Sequence, residues 1–257
     1  MRDHSIQTGP VDLKDVWASL NSQGYALTDD REMGLSRRFP DEFRQMHFNK
    51  YILRHDQGDR PADRLRARDV VRYWRHDGGL SLQEHETITI TDRADIPGKR
   101  DHSRVRLLSD PQARKLICTF LQLVPPSRRK PEGTFGLNLF RTFTNIVTQP
   151  HHDQEEFIIV YVLTRIGGGA ETYLYEPDGV AETGDPIAEP VLRHQLDKGE
   201  ILIFEDKLFK HGATPLRNPS GGTAMRDALV CTVDHRGTYL AESAATSSAA
   251  LPRTKAG

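Results

Sequence analysis

The chain has 257 residues, enough for one large domain with a substantial core. Hydrophobic residues make up 37% and charged residues 28%, which suits a globular protein with a well-solvated surface. Lys plus Arg total 35 against 36 Asp plus Glu, so no overall field draws the chain to nucleic acid or to an anionic membrane, and a small-molecule partner is expected.

The opening Met1-Arg2-Asp3-His4-Ser5 is polar and lacks the apolar stretch of a signal peptide, and no run of about 18 apolar residues is present to cross a bilayer. A cytoplasmic protein is expected. Over residues 11–23, Val11, Leu13, Val16, Trp17 and Leu20 fall near helical spacing, with Gly24 just past the end, which predicts a helix. Tyr25-Ala26-Leu27 follows as a short strand. A second helix is predicted over 40–52, with Phe43, Met46, His47 and Tyr51 on one stripe and Pro40 in the first turn, where its missing N–H costs nothing. His47 reads as a packed helix residue. Residues 63–75 are dense in arginine and end in strand formers. Most of these guanidiniums belong on a solvated face, yet on a strand Arg66, Arg68 and Arg72 share one face and could grip a carboxylate with a bidentate fork.

Residues 86–91 alternate with period two and predict a half-buried strand, followed by a charged loop over 96–104. Ser109-Asp110-Pro111 supplies a cap and an early proline for a helix with Leu116, Ile117, Phe120, Leu121 and Val124 on one side. Pro125-Pro126 ends it, and a polar turn over 127–133 follows. From Thr134 the chain reads as strand after strand, at 135–144, 157–164, 171–175, 191–195, 200–204 and 226–234, with Gly, Pro, Asn and Asp between them. This spacing predicts a mainly β fold with flanking helices, most economically a jelly roll with the earlier helices packed outside it. One domain over 1–240 is expected, with a helical and strand part at 1–133 and the jelly-roll core at 134–240. The tail 241–257, rich in Ala, Ser and Thr, reads as disordered. Cys118 and Cys231 have neither the number nor the spacing of a disulfide framework or zinc cluster, and are expected as core thiols.

The stretch Gln149-Pro150-His151-His152-Asp153-Gln154-Glu155-Glu156 stands directly before the apolar run 157–163. Histidine and aspartate often cap turns or pair at surfaces, and a lone His-x-Asp arises by chance in a chain with 11 histidines. On extended backbone, however, His151 and Asp153 share a face while His152 points away, so imidazole and carboxylate can converge on one ion. The third ligand must come from elsewhere, and His194, His211 and His235 are available. His211 ranks ahead because it follows the core strand 200–204 and a short loop. His194 sits between Arg193 and Gln195, and His235 lies at the far end of the last strand. Two histidines and one carboxylate on one face of an octahedron leave three positions open, an arrangement suited to ferrous iron and O2 chemistry. Farther on, Arg226 enters an otherwise apolar strand, which is costly unless it meets an anion. Asp227 is the simple partner, but strand neighbours face opposite ways.

The order His151-x-Asp153, Gly-Gly loop, strand, His211-Gly-Ala-Thr-Pro-Leu, then Arg226-Asp227 resembles Fe(II)/2-oxoglutarate-dependent dioxygenases, and within them the bacterial L-isoleucine 4-hydroxylase type. The likeness spans about 64–233, and Gly136-Leu137-Asn138-Leu139-Phe140-Arg141 and Arg66-Ala67-Arg68 with Arg72-Tyr73 are also similar. It implies a double-stranded β-helix (cupin-like) core, Fe(II) held by His151, Asp153 and His211, and 2-oxoglutarate held by Arg226 through its distal carboxylate, with O2 as the second co-substrate. It implies oxidation of an unactivated C–H bond, by default hydroxylation of a free amino acid or derivative, while 2-oxoglutarate leaves as succinate and CO2. Desaturation, cyclisation and sulfoxidation are open to the same oxidant. No protein acid or base beyond the metal centre is needed. Arg66, Arg68, Arg72 or Arg141 would clamp the substrate carboxylate, and an acidic residue near Glu155 or Glu156, with Glu155 the candidate, would meet its ammonium. The loop 176–189 and the long tail depart from that type, so the identity of the amino acid does not carry over. Three rivals stand beside this reading: a cupin-like Zn(II) or Mn(II) enzyme without 2-oxoglutarate, a metal-free binding barrel, and a protein hydroxylase with a long exposed groove.

Overall fold

Helix α1 (Lys14–Gln23) stops at Gly24, whose φ of 77° lets its N–H reach back to Leu20 O. A Cβ there would lie 2.7 Å from Leu208, so glycine is needed for space as well as for backbone conformation. The computed structural model describes residues 11–55, 64–77, 79–84, 104–143, 148–153 and 155–233. The expected strand over 86–91, most of the loop over 96–104, His235 and the tail 241–257 lie outside them.

After α1 come β1 (Tyr25–Asp29), α2 (Phe39–His47), β2 (Arg64–His76), β3 (Gly79–Glu84), α3 (Pro111–Leu123), β4 (Glu132–Phe143) and β5 (Thr148–His151). They are followed by β6 (Phe157–Ile166), β7 (Gly168–Gly169), β8 (Thr172–Tyr175), β9 (Leu192–His194) and β10 (Glu200–Glu205), then β11 (Lys210–Ala213), β12 (Leu216–Arg217) and β13 (Met225–Val233). Helix α2 is shorter than its apolar stripe predicts: it closes at Phe48, whose N–H donates to Arg44 O, and Tyr51 is exposed. Asp110 caps α3 by accepting from Gln112 N and also meets His47 Nε2 at 2.9 Å, so one carboxylate starts α3 and ties it to α2.

A seven-stranded sheet in the order β1-β10-β6-β13-β4-β2-β3 faces a four-stranded sheet in the order β5-β11-β8-β9, and the short pair β12-β7 stands at one end. Every described pairing between these strands is antiparallel. The result is a jelly roll, mainly β with flanking helices. The large sheet also takes β1, β2 and β3 from the part of the chain expected to lie outside the barrel, so the sheet does not begin at residue 134. Strand β1 pairs with β10, far along the chain, and a partner that distant leaves no local pattern in the sequence.

Alternation along each strand sorts its side chains between two cores. The cross-strand row Asp69–Leu137–Cys231–Ile159–Ile203 faces the helices, where Phe39, Phe43, Leu116, Ile117 and Phe120 complete the larger apolar cluster. The row Arg68–Asn138–Val230–Val160–Leu202 faces the small sheet, where Leu174 and Phe209 pack against Val162 and Phe204. The larger cluster draws on residues from Leu13 to Val233 and includes Cys118 and Cys231, both buried free thiols. Between its helices and sheet sits an ion cluster: buried Asp227 accepts from Arg44 Nε of α2 at 2.6 Å and from Arg141 Nε and Nη2 of β4, each at 2.7 Å. Among the described residues, no helix is long and apolar enough to cross a membrane.

Candidate metal centre

Strands β5 and β11 pair so that His151 stands directly opposite His211, their ring centroids 4.5 Å apart. Asp153 comes two residues after β5 ends, off the strand. His151 Nε2 lies 3.5 Å from Asp153 Oδ1 and His211 Nε2 lies 3.5 Å from Asp153 Oδ2. One ligand atom from each residue lies within 4.8 Å of the others, and among the described residues this is the one group of three or more His, Cys, Asp or Glu so placed. His151 Nδ1 is 2.8 Å from Gln149 O, so its proton belongs on Nδ1 and its Nε2 lone pair is free to face the centre.

The segment carrying Asp153 is held by Asp206, the first residue after β10. Asp206 Oδ1 accepts from Asp153 N at 3.2 Å and Oδ2 from Glu155 N at 2.9 Å, while His152 Nδ1 donates to Asp206 O at 2.6 Å. His152 therefore points away from the centre.

The charges of the three residues support one another. Burial works against a charged Asp153, but the imidazoles of His151 and His211 outweigh it and hold the carboxyl well below the usual range. Burial likewise disfavours a charged His211, and the carboxylates of Asp153 and Asp206 override it, raising the imidazole to about 9. An ionised carboxylate and two Nε2 atoms converging on one point form a donor set that a divalent cation would complete in place of the proton.

Arg226 shares the inner face of β13 with Ala228 and Val230, in the row Arg64–Thr142–Arg226–Arg165. Its Nη1 donates to Ala170 O at 3.2 Å, and among the described residues its buried Nε has no hydrogen-bond partner and no carboxylate pairs with it. Burial, with Arg165 beside it, pushes the guanidinium down to about 10. Arg165 itself pairs with Asp197 and donates to Gly167 O. The loop that supplies Ala170 O lies tight against the segment after His211. A Cβ on Gly169 would come within 2.0 Å of Pro215 O, Ala170 N donates to Pro215 O, and Ala170 adopts a φ of 52°. The loop thus joins the segment after His211 to the Arg226 side chain.

Other residues singled out in the sequence fall in different places. His194 pairs with Glu200 at 3.0 Å and takes no part in the centre. Arg66 and Arg68 lie in the rows of Phe140 and Asn138, on the face between the sheets. Arg72 is on the same face but near the edge, donating to Glu132 at 3.1 Å and stacking over Trp74. Arg141 faces the helices, where its Nε and Nη2 donate to Asp227. Glu155 is 3% exposed, its N–H on Asp206, so its carboxyl is packed inside rather than presented to a ligand in solvent. Nothing in the sequence singled out Asp206; an aspartate at the end of an apolar strand, five residues before His211, was the available signal.

A jelly roll with two histidines and an aspartate converging at one end of the small sheet is the architecture of non-haem iron oxygenases. Solved structures share the fold. A bsmA homolog from Methylobium petroleophilum PM1 aligns at 18% identity over 90% of this chain and 96% of its own, with a TM-score of 0.69. IDO from Bacillus thuringiensis aligns at 14% over 90% and 99%, with a TM-score of 0.64. The Fe(II)/(alpha)ketoglutarate-dependent dioxygenase TqaL aligns at 13% over 88% of each chain, also at 0.64. No curated protein sequence matches. The 2OG-Fe dioxygenase family pattern matches residues 52–232, and the chain belongs to that family. It is a non-haem oxygenase of the kind that uses Fe(II), 2-oxoglutarate and O2.

Proposed function

We propose that His151, Asp153 and His211 bind the ferrous ion, that Arg226 binds the distal carboxylate of 2-oxoglutarate, and that the enzyme hydroxylates an unactivated C–H bond of a free amino acid or a close derivative. The observation that carries this reading is the pairing of a converged donor set within 4.8 Å with a guanidinium on the inner face that lacks a carboxylate. The donors fit the ion because both histidines have their Nδ1 atoms directed elsewhere. The guanidinium fits a dicarboxylate because burying it without an anion is unfavourable until one arrives. The iron, when bound, supplies activation of O2 coupled to conversion of 2-oxoglutarate into succinate and CO2, one oxygen atom going to succinate and one to the substrate.

The chain's own contribution is placement. Arg226 orients the co-substrate by a charge-assisted fork, and Ala170 O fixes the direction of that fork. Arg68, in the row that crosses Asn138, is positioned to take the substrate carboxylate, with Arg66 one row nearer Arg226. Ile158, Val160 and Val162 wall the space between the sheets with hydrocarbon and keep bulk water from the reacting carbon. Both parts of the chain, before and after residue 134, build this single catalytic unit.

The test is anaerobic loading with Fe(II) and 2-oxoglutarate, then O2 together with a panel of free amino acids, with succinate and product mass measured. The expected result is succinate formation stimulated by one or a few amino acids, each gaining one oxygen. If no amino acid raises succinate above the uncoupled rate while another substrate class does, the substrate assignment is wrong. If succinate never forms, the co-substrate assignment fails too.

A further inference from the structure

We propose that Asp206, which lies outside the His–Asp–His set, is the positioning residue of the metal centre: its buried carboxylate fixes both the Nδ1–H form of His211 and the segment that carries Asp153. This rests on the reading of His151, Asp153 and His211 as the ligands.

Asp206 has no solvent exposure, and a carboxylate buried that deeply survives only if its oxygens are satisfied. Two backbone amides, those of Asp153 and Glu155, occupy one oxygen each. His211 Nδ1, a buried nitrogen that makes no hydrogen bond among the described residues, has the Asp206 carboxylate beside it, with Oδ1 3.3 Å away. One side chain therefore touches both arms of the centre, which reach it from different strands. The two histidines differ in this respect. The Nδ1 proton of His151 goes to a neutral carbonyl, that of Gln149, whereas the Nδ1 proton of His211 has a full negative charge to face. A carboxylate behind a ligand imidazole selects the tautomer whose Nε2 lone pair is free and makes that nitrogen a stronger donor. The segment alone would be served by any acceptor, and the charge gains its use through His211.

Asp206→Asn weakens both duties, and the His211 proton reports the second. An amide keeps the shape but has a single acceptor oxygen: with that oxygen on Glu155 N, its NH2 takes the place of Oδ1, opposes the N–H of Asp153 and faces His211 Nδ1, favouring the Nε2–H tautomer, which cannot take a metal there. The full-length protein, stripped by chelator, is titrated with Co(II) and followed by visible absorption. Asp206→Asn should bind Co(II) about 10- to 100-fold more weakly than wild type. In the Zn(II)-loaded protein, the His211 Nδ1–H resonance should exchange slowly with solvent in wild type and rapidly in the variant. Unchanged Co(II) affinity in the folded variant overturns the proposal. Should the variant fail to fold, the wild-type resonance decides: a His211 Nδ1–H that exchanges as fast as free imidazole overturns it as well. His211→Gln keeps the two readings apart. Tight Co(II) binding by that variant would show that the ligand set itself is wrong, whereas loss of Co(II) there with no effect of Asp206→Asn would remove only the positioning role.

Discussion

Arg226 and Asp227 are neighbours on β13 that point to opposite faces, and the two faces treat charge differently. Toward the helices, Asp227 is fully buried and holds three charge-assisted bonds from Arg44 and Arg141. Toward the small sheet, Arg226 holds one backbone carbonyl and leaves its Nε unused. The first arrangement is complete within the fold. In the proposed reading, the second becomes complete when the co-substrate's carboxylate enters. A charge with every partner supplied by the chain serves the structure, and one left short of a partner on the inner face of a barrel is a candidate for ligand recognition.

Removing the satisfied charge should have the largest effect on stability. Asp227→Ala leaves two guanidiniums facing each other below α2, and breaking a buried pair costs about 3–5 kcal/mol. The lower end is expected, because the Arg44 side chain is 37% exposed and can turn to solvent, leaving Arg141 at 18% as the stranded charge. Urea unfolding of the metal-free protein measures the loss. A change within about 0.5 kcal/mol would mean that the cluster is dispensable and that the contrast with Arg226 is false.

Removing the unsatisfied charge should do the reverse. Arg226→Met takes away a buried cation with no counter-ion, so the unliganded protein should be no less stable than wild type. Its affinity for 2-oxoglutarate, titrated calorimetrically into the Co(II)-loaded protein, should fall about 10- to 100-fold, the worth of a lost charged hydrogen bond. Wild type at a 2-oxoglutarate concentration of about 100 times Kd should gain about 2.7 kcal/mol, and the variant at that concentration much less. Equal affinity in the two proteins would place the co-substrate anchor elsewhere.

Much of this contrast was open to sequence reading because it depends on alternation. Arg226 opposed to Asp227 follows from a period of two, whereas Asp153 comes beside His151 after β5 has ended, in a segment held by Asp206. The helices were legible from apolar spacing and from Asp110-Pro111 at the start of α3. What stayed hidden involves partners far apart in the chain. Thr148-Gln149-Pro150-His151 is too short and polar to announce a strand, yet it is one because His211 lies opposite. Lys210–Ala213 is the same case, and β3 starts with glycine. Arg141 looked available as a clamp because nothing local shows that Arg44, from a helix about 100 residues earlier, would share Asp227 with it. Asp206 was missed for a related reason: its duty exists only once two other segments come to it.

The smallest expected effect is on pH dependence, and it tests whether the inner-face cation is an arginine for a reason. Burial and then Arg165 bring Arg226 down to about 10, below its unfolded value of 12.5. A base with a depressed folded value carries its full penalty at pH below about 10, where both states are protonated, and the penalty fades as pH rises from about 10 toward 12.5. Between about pH 7 and 9 Arg226 stays charged, so 2-oxoglutarate affinity of the metal-loaded wild type should be nearly flat. Arg226→Lys enters the same environment from a lower starting value, about 10.4 in water, and an equal displacement brings it into that window. Its affinity should therefore weaken as pH rises from about 7 to 9 while wild type holds constant. A lysine variant as flat as wild type would mean that the site is better solvated than the unpartnered Nε implies, and the difference between the two faces of β13 would shrink to one of partners alone.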